Sequence, residues 1–224
     1  MRNNGRETIS SSVQFLKNYE EELRMAEASA EWTSGKTAEN LSRNGTLNTA
    51  HFVHAAERPE EKWIPPVRGT VKINTDATYL AETGESAAGA VGRDYQGSVL
   101  KSVCKKLPLC RSVEEAEARA ILTGLQSMAE MFNGRVTIET DNQLIANELL
   151  ATRPTCSPNY GLIMDIKNSM AAFSACSVQC VKRSRNTLAH GLAALTRSSG
   201  EQVLIAHVPS SLRHLMLSEC IALF

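Results

Sequence analysis

From Val71 to Ala77 the chain alternates: Val71, Ile73 and Thr75 fall on one face of an extended backbone, and Lys72, Asn74 and Asp76 on the other. A period of two is the mark of a strand. Just before it, Trp63-Ile64-Pro65-Pro66 forces an extended entry, because proline fixes φ and biases the residue ahead of it away from helix; the folded region is predicted to start there. After the first strand come a polar turn over Thr78–Ser86, a small-residue strand over Ala87–Arg93, the turn Tyr95-Gln96-Gly97 and a third strand over Ser98–Val103. Strands joined by such short turns run antiparallel.

The period then changes. Ser112-Val113-Glu114-Glu115 has the form of a capping box opening a helix that Gly134 stops, with Glu117, Ile121, Leu125, Met128 and Phe132 in one stripe. Arg135–Thr140 is the next strand, ending at Asp141-Asn142, and a helix bearing Leu144, Ile145, Leu149 and Leu150 follows. Beyond a Pro-containing loop come a helix over Tyr160–Phe173, a strand over Cys176–Val181 and a helix from its cap Asn186 to about Ser198. Helical crossovers make strands one, four and five parallel, so the class is α/β with a mixed sheet.

Ahead of Trp63, residues 12–30 carry Phe15, Leu16, Tyr19, Leu23 and Ala26 at helical spacing, and Glu31–Lys62 is polar and aperiodic. The expected organisation is an N-terminal helix and linker over 1–62, one domain over 63–199 and a tail over 200–224.

Composition narrows this only a little. The 224 residues hold 24 Lys plus Arg and 24 Asp plus Glu, so no global charge advertises nucleic acid or membrane. The six cysteines are dispersed without a C-x-x-C pair, and no apolar run has the roughly 18–20 residues of a membrane span. These features predict a soluble intracellular protein with reduced thiols and no membrane partner; nucleus and cytoplasm are not distinguished.

The candidate chemistry lies in carboxylates. Asp76 and Asp141 end strands predicted to be adjacent and parallel, and Glu117 faces them from the apolar side of the first helix. Each has a plainer reading: Asp76 as a turn residue, Asp141 as a helix cap, Glu117 as a first-turn acid favoured by the helix dipole. Three converging acids repel unless a cation neutralises them, and oxygen ligands suit Mg²⁺ or Mn²⁺. Two such ions can activate a water and stabilise the leaving oxygen of a phosphodiester. Zinc is disfavoured, because His51, His54, His190, His207 and His214 form no ligand-spaced cluster with cysteine. Between Arg135 and Arg197, seven Lys and Arg stand against four Asp and Glu, and Lys182, Arg183 and Arg185 cluster beside Asn186; they are either solvated charges or phosphate contacts.

Four blocks in order, Ile73–Ala77, Ala116–Ala118, Ile138–Asp141 and Arg185–Ala193, resemble the signature blocks of ribonuclease H. With Trp63–Pro66 and Ala189-His190, the likeness is to the ribonuclease H-like domain of plant non-LTR retrotransposons. The resemblance implies a five-stranded mixed sheet in the order 3-2-1-4-5 flanked by helices, here with an N-terminal helical extension. It implies hydrolysis of the RNA strand of RNA–DNA hybrids as an endonuclease, with Mg²⁺ or Mn²⁺, two ions. Asp76, Glu117 and Asp141 match the first three catalytic acids and metal ligands, and His190 stands where the family has a fourth acid. Lys182, Arg183, Arg185 and Asn186 are the expected nucleic-acid contacts. The histidine-bearing loop that many members carry before the last helix is absent, since Val181–Asn186 runs straight from strand to cap. The alternative is a nucleic-acid-binding or protein-interaction domain that keeps the fold without turnover.

Overall fold

The computed structural model describes residues 61–152 and 157–220. The predicted helix over 12–30 and most of the linker lie outside the described residues.

The strands are β1 Thr70–Tyr79, β2 Ser86–Arg93, β3 Val99–Leu107, β4 Arg135–Thr140, β5 Ala175–Cys180 and β6 Gln202–Ile205. The helices are α1 Val113–Ala129, α2 Gln143–Leu150, α3 Tyr160–Met170, α4 Thr187–Ser199 and α5 Arg213–Cys220. The sheet order is β5-β4-β1-β2-β3-β6, with β1, β4 and β5 parallel and the other pairings antiparallel.

Six strands therefore replace the five expected. The sixth comes from the segment read as a tail: Gln202–Ile205 pairs with Lys101–Cys104 on the outer edge of β3. Four residues with alternating exposure are too short a run to carry a periodic signal, and Gly200 just before them reads as the stop of the preceding helix.

One face of the sheet is apolar. Val71 and Ile73 of β1, Val136 and Ile138 of β4, and Val178 of β5 pack with Ile121 and Leu125 of α1, Ile145 of α2 and Ile163 and Ile166 of α3. Full burial of each such side chain contributes about 1.5–3 kcal/mol. Gly124 lets α1 press onto this face, where a Cβ would lie 2.9 Å from Thr75 Cγ2.

The other face is polar but equally covered. Lys72, Asn74 and Asp76 of β1 point to it with Glu139 of β4 and Arg93 and Gly89 of β2, as their registers require. Helix α4 lies across it at very short range: a Cβ on Gly89 would sit 2.1 Å from the Ala189 carbonyl oxygen and 2.3 Å from the Ala193 nitrogen. Gly89 pairs with Asp76, so the glycine that admits α4 sits beside the first candidate acid.

β1 is longer than its periodicity predicts. It runs three residues past Asp76 to Tyr79, held there by β2 alone, because its parallel pairing with β4 stops at Asn74↔Glu139. Asp76 thus lies inside the strand, at a notch where β4 has left the sheet and residues from both faces can meet.

Candidate active site

Asp76, Glu117 and Asp141 present carboxylate oxygens that all lie within 4.8 Å of one another. Asp76 comes from the polar face of β1, Glu117 from the first turns of α1 on the opposite face, and Asp141 from the residue after β4.

Why is Asp141 available? The cap of α2 is Asn142, whose Oδ1 accepts from the Ile145 amide at 3.1 Å, so capping leaves the preceding carboxylate free. Glu117 is only 6% exposed and its Oε2 is buried without a hydrogen-bond partner. Burial, followed by the Asp76 and Asp141 carboxylates, pushes its pKa up to about 9. Burial and the charge of Asp76 also raise Asp141, against the opposing pull of Arg183 and Asn186. Two residues before Glu117 the reverse holds, because the Arg119 hydrogen bond holds the Glu115 carboxyl at about 2. Ser112 caps α1 by accepting from the Glu115 amide, but the Glu115 carboxylate turns to the Arg111 amide instead of closing the box.

An orphaned buried carboxylate oxygen and three acids crowded within 4.8 Å fit a hard divalent cation, which would take their oxygens and relieve the repulsion. Without one, the Glu117 proton has a stability consequence. The folded chain holds that proton where the unfolded chain, with a carboxyl near 4.5, releases it, so metal-free stability falls as pH rises between about 4.5 and 9. Glu117→Gln is expected to flatten this slope, raising the melting temperature by roughly 3–10 °C at pH 8 and little at pH 5. Thermal melts in chelator across that range check it, and an unchanged slope would contradict the burial argument.

His190 projects from α4, with Nδ1 2.7 Å from Asp76 Oδ2 and Nε2 3.3 Å from Arg183 Nη2. A guanidinium can only donate, so Nε2 accepts and a neutral ring donates its Nδ1 hydrogen to Asp76. His190 thus stands at the site as a donor to Asp76, and the metal-spaced group comprises the three acids.

Asn186 stands at the N-cap of α4 as its position predicts, but its side chain makes no capping hydrogen bond. Its amide donates to the Thr75 carbonyl at 2.9 Å and Asp141 Oδ1 at 3.4 Å, while its Oδ1 accepts from Asn74 at 3.2 Å. Lys182, Arg183 and Arg185 lie on or beside a 3-10 turn leading into α4. Glu61 engages two of them, Lys182 at 2.6 Å and Arg185 at 3.0 Å, both exposed or half-exposed pairs of small energetic weight.

The sequence did not single out the polar residues beneath α4. Glu139, 3% exposed, accepts from Trp63 Nε1 at 3.0 Å and Asn74 Nδ2 at 2.9 Å and pairs with Lys72 at 2.6 Å. Arg93, fully buried, lies 3.6 Å over the Trp63 ring and donates to Asn74 Oδ1 at 2.8 Å. The available signal was a charged residue closing the otherwise small and apolar run Ala87–Gly92.

A mixed sheet with this order, and acids meeting where β4 leaves β1, define a ribonuclease H-type α/β fold. Solved structures agree. A type 1 ribonuclease H from the halophilic archaeon Halobacterium salinarum aligns with a TM-score of 0.53 at 22% identity, over 58% of this chain and 99% of that one. The LC9 enzyme, described as a type 1 ribonuclease H with the type 2 active-site motif, aligns at 0.50 and 14% identity, over 68% and 85%. The profile of the reverse transcriptase-like family matches residues 74–196, and the chain belongs to that family. An Arabidopsis thaliana protein provisionally named a ribonuclease H protein is 29% identical over 131 residues, 58% of this chain and 21% of that protein. The chain thus spans about a fifth of that relative's length. Among the described residues, no helix is long and apolar enough to cross a membrane.

Proposed function

We propose that the chain is a metal-dependent endonuclease cleaving the RNA strand of RNA–DNA hybrids. The observation that carries this reading is the three-acid group within 4.8 Å, with the partnerless Glu117 Oε2 among its atoms. Asp76, Glu117 and Asp141 are the residues that would hold Mg²⁺ or Mn²⁺, in a two-ion arrangement. When bound, the metal activates water and stabilises the leaving oxygen.

The chain's own groups do the rest. His190 donates to Asp76 and fixes which of its oxygens faces the site. Asn186, just before α4, restrains Asp141 in the same way. Arg183 sets a positive charge beside the acids, lowering both Glu117 and Asp141 against burial. Lys182, Arg183 and Arg185 contact backbone phosphates, with Lys182 and Arg185 exchanging Glu61 for phosphate; such contacts fix position and carry no sequence preference. The name of the Arabidopsis relative supports this reading.

Incubating the protein with labelled RNA–DNA hybrid, RNA duplex and DNA duplex, each with Mg²⁺, Mn²⁺ or chelator, tests the reading. Cleavage is expected for the RNA of the hybrid alone and only with metal. His190→Asp is expected to raise the Mg²⁺-dependent rate, since it replaces a donor with a further carboxylate, and to lower metal-free stability by adding like charge. An equal or lower rate at every Mg²⁺ concentration would leave His190 as an orienting group only. A second reading, hybrid binding without turnover, rests on His190 occupying the place of an acid; it predicts retained binding with no cleavage under either metal.

A further inference from the structure

The match to the family ends at residue 196, yet a residue 23 positions later reaches the site's scaffold. The first turn of any helix leaves backbone amides without partners. In α4 the cap residue Asn186 gives them nothing, since its side chain is spent on Thr75, Asp141 and Asn74. Glu219 of α5 supplies what is missing: its Oε1 accepts from the Leu188 amide at 2.9 Å and from the Thr187 hydroxyl. Its other oxygen accepts from Arg93 Nη1 at 2.6 Å, in a pair that is 0% and 4% exposed.

From Arg93 the bonds continue to Asn74 Oδ1, from Asn74 to Asn186 Oδ1, and from Asn186 to Asp141 Oδ1. Every link is a side chain beneath or within the first turn of α4. The seat of α5 is fixed independently. Gly191 leaves room for two of its neighbours, since a Cβ there would lie 3.1 Å from Leu212 Cδ2 and 3.3 Å from Leu215 Cδ2, and Leu212 is 1% exposed. A carboxylate at a helix N-terminus also interacts favourably with the helix dipole.

We propose that Glu219 is a positioning residue: by capping α4 in place of Asn186, it frees the Asn186 amide to hold Asp141 and sets the height of His190 over Asp76. The cap is thereby exported to a C-terminal helix, and the family span alone is an incomplete site. For its activity readout this inference rests on the nuclease reading above; its structural readout does not.

The test compares the full chain with Glu219→Ala and Glu219→Gln by amide hydrogen exchange, by side-chain amide NMR shifts, and by kcat and KM for hybrid cleavage well below each melting temperature. In the wild type the Leu188 amide is expected to exchange slowly, although it has no acceptor within its helix. Glu219→Ala should expose that amide and move the Asn186 side-chain resonances while the amides of β1 and β4 stay in place. It should lower kcat about tenfold with KM little changed, the scale of losing a group that orients a ligand. Glu219→Gln keeps an acceptor for Leu188 but turns an amide donor toward Arg93, so it should restore slow Leu188 exchange and recover only part of the Asn186 shift and of kcat. Fast exchange of Leu188 in the wild type, or shifts confined to α5, overturns the proposal, as does an unchanged kcat. If Glu219→Ala does not fold, Thr187→Val and Glu219→Gln decide it by the same Asn186 shifts. If the wild type cleaves no hybrid, the nuclease reading fails, and the exchange and shift results still settle the role of Glu219.

Discussion

Asp141→Asn is expected to reduce metal-dependent hybrid cleavage by ~10³-fold or more while leaving the protein folded. The change removes one of three carboxylates that meet within 4.8 Å, and metal stabilisation of transition-state charge amounts to several kcal/mol, with each 1.4 kcal/mol about tenfold in rate. It takes away no core contact, because Asn142 caps α2. Burial and Asp76 already hold the Asp141 carboxyl above its usual range, so neutralising it relieves repulsion and the metal-free melting temperature should stay level or rise. Asp76→Asn should lose activity to a similar extent. Cleavage rates and melting curves in chelator measure both, and full activity in either variant, or a large fall in melting temperature for Asp141→Asn, contradicts the assignment.

Gly89→Ala is expected to be among the most damaging single methyl additions in the chain, about 3 kcal/mol or more, because overpacking between two backbones cannot be relieved by rotamer changes. The added carbon would lie 2.1 Å from the Ala189 carbonyl oxygen and 2.3 Å from the Ala193 nitrogen, so α4 must move away from β2. That movement carries His190 away from Asp76, which sits directly opposite Gly89 in the ladder. The melting temperature should fall by roughly 6–12 °C. Cleavage measured well below the new midpoint should fall as well. A variant as stable and as active as the wild type would mean that α4 has slack that the close approach denies.

How much of this could be read beforehand follows from the range of each interaction. β1, α1 and β4 were legible because periodicity is local, and Glu117 was legible because it shares the stripe of Ile121 and Leu125. Their convergence followed from the parallel crossover. What the alternation of β1 could not tell is that its polar face is buried: Lys72, Asn74 and Asp76 look like a solvated side until α4 is laid across them. Arg93 and Glu219 lie 126 positions apart, and neither has a local reason to be buried, so their pairing has no signature shorter than the fold itself. The side-chain bond expected of the α4 cap is missing for a related reason. Asn at a helix start is a good local wager, but here three partners from β1 and beyond β4 compete for its amide.

The stacking of Trp63 on Arg93 sets where evolution or an engineer can cut. The family profile matches from residue 74, whereas the indole eleven positions earlier shields a fully buried guanidinium and satisfies Glu139. A module exchanged at the start of that match would carry Arg93 and Glu139 into its new host without the ring that makes them tolerable there, leaving buried charge only partly compensated. The unit that can be moved between proteins intact therefore begins upstream of Trp63, and the stretch Trp63–Pro66 travels with the folded domain as its first piece.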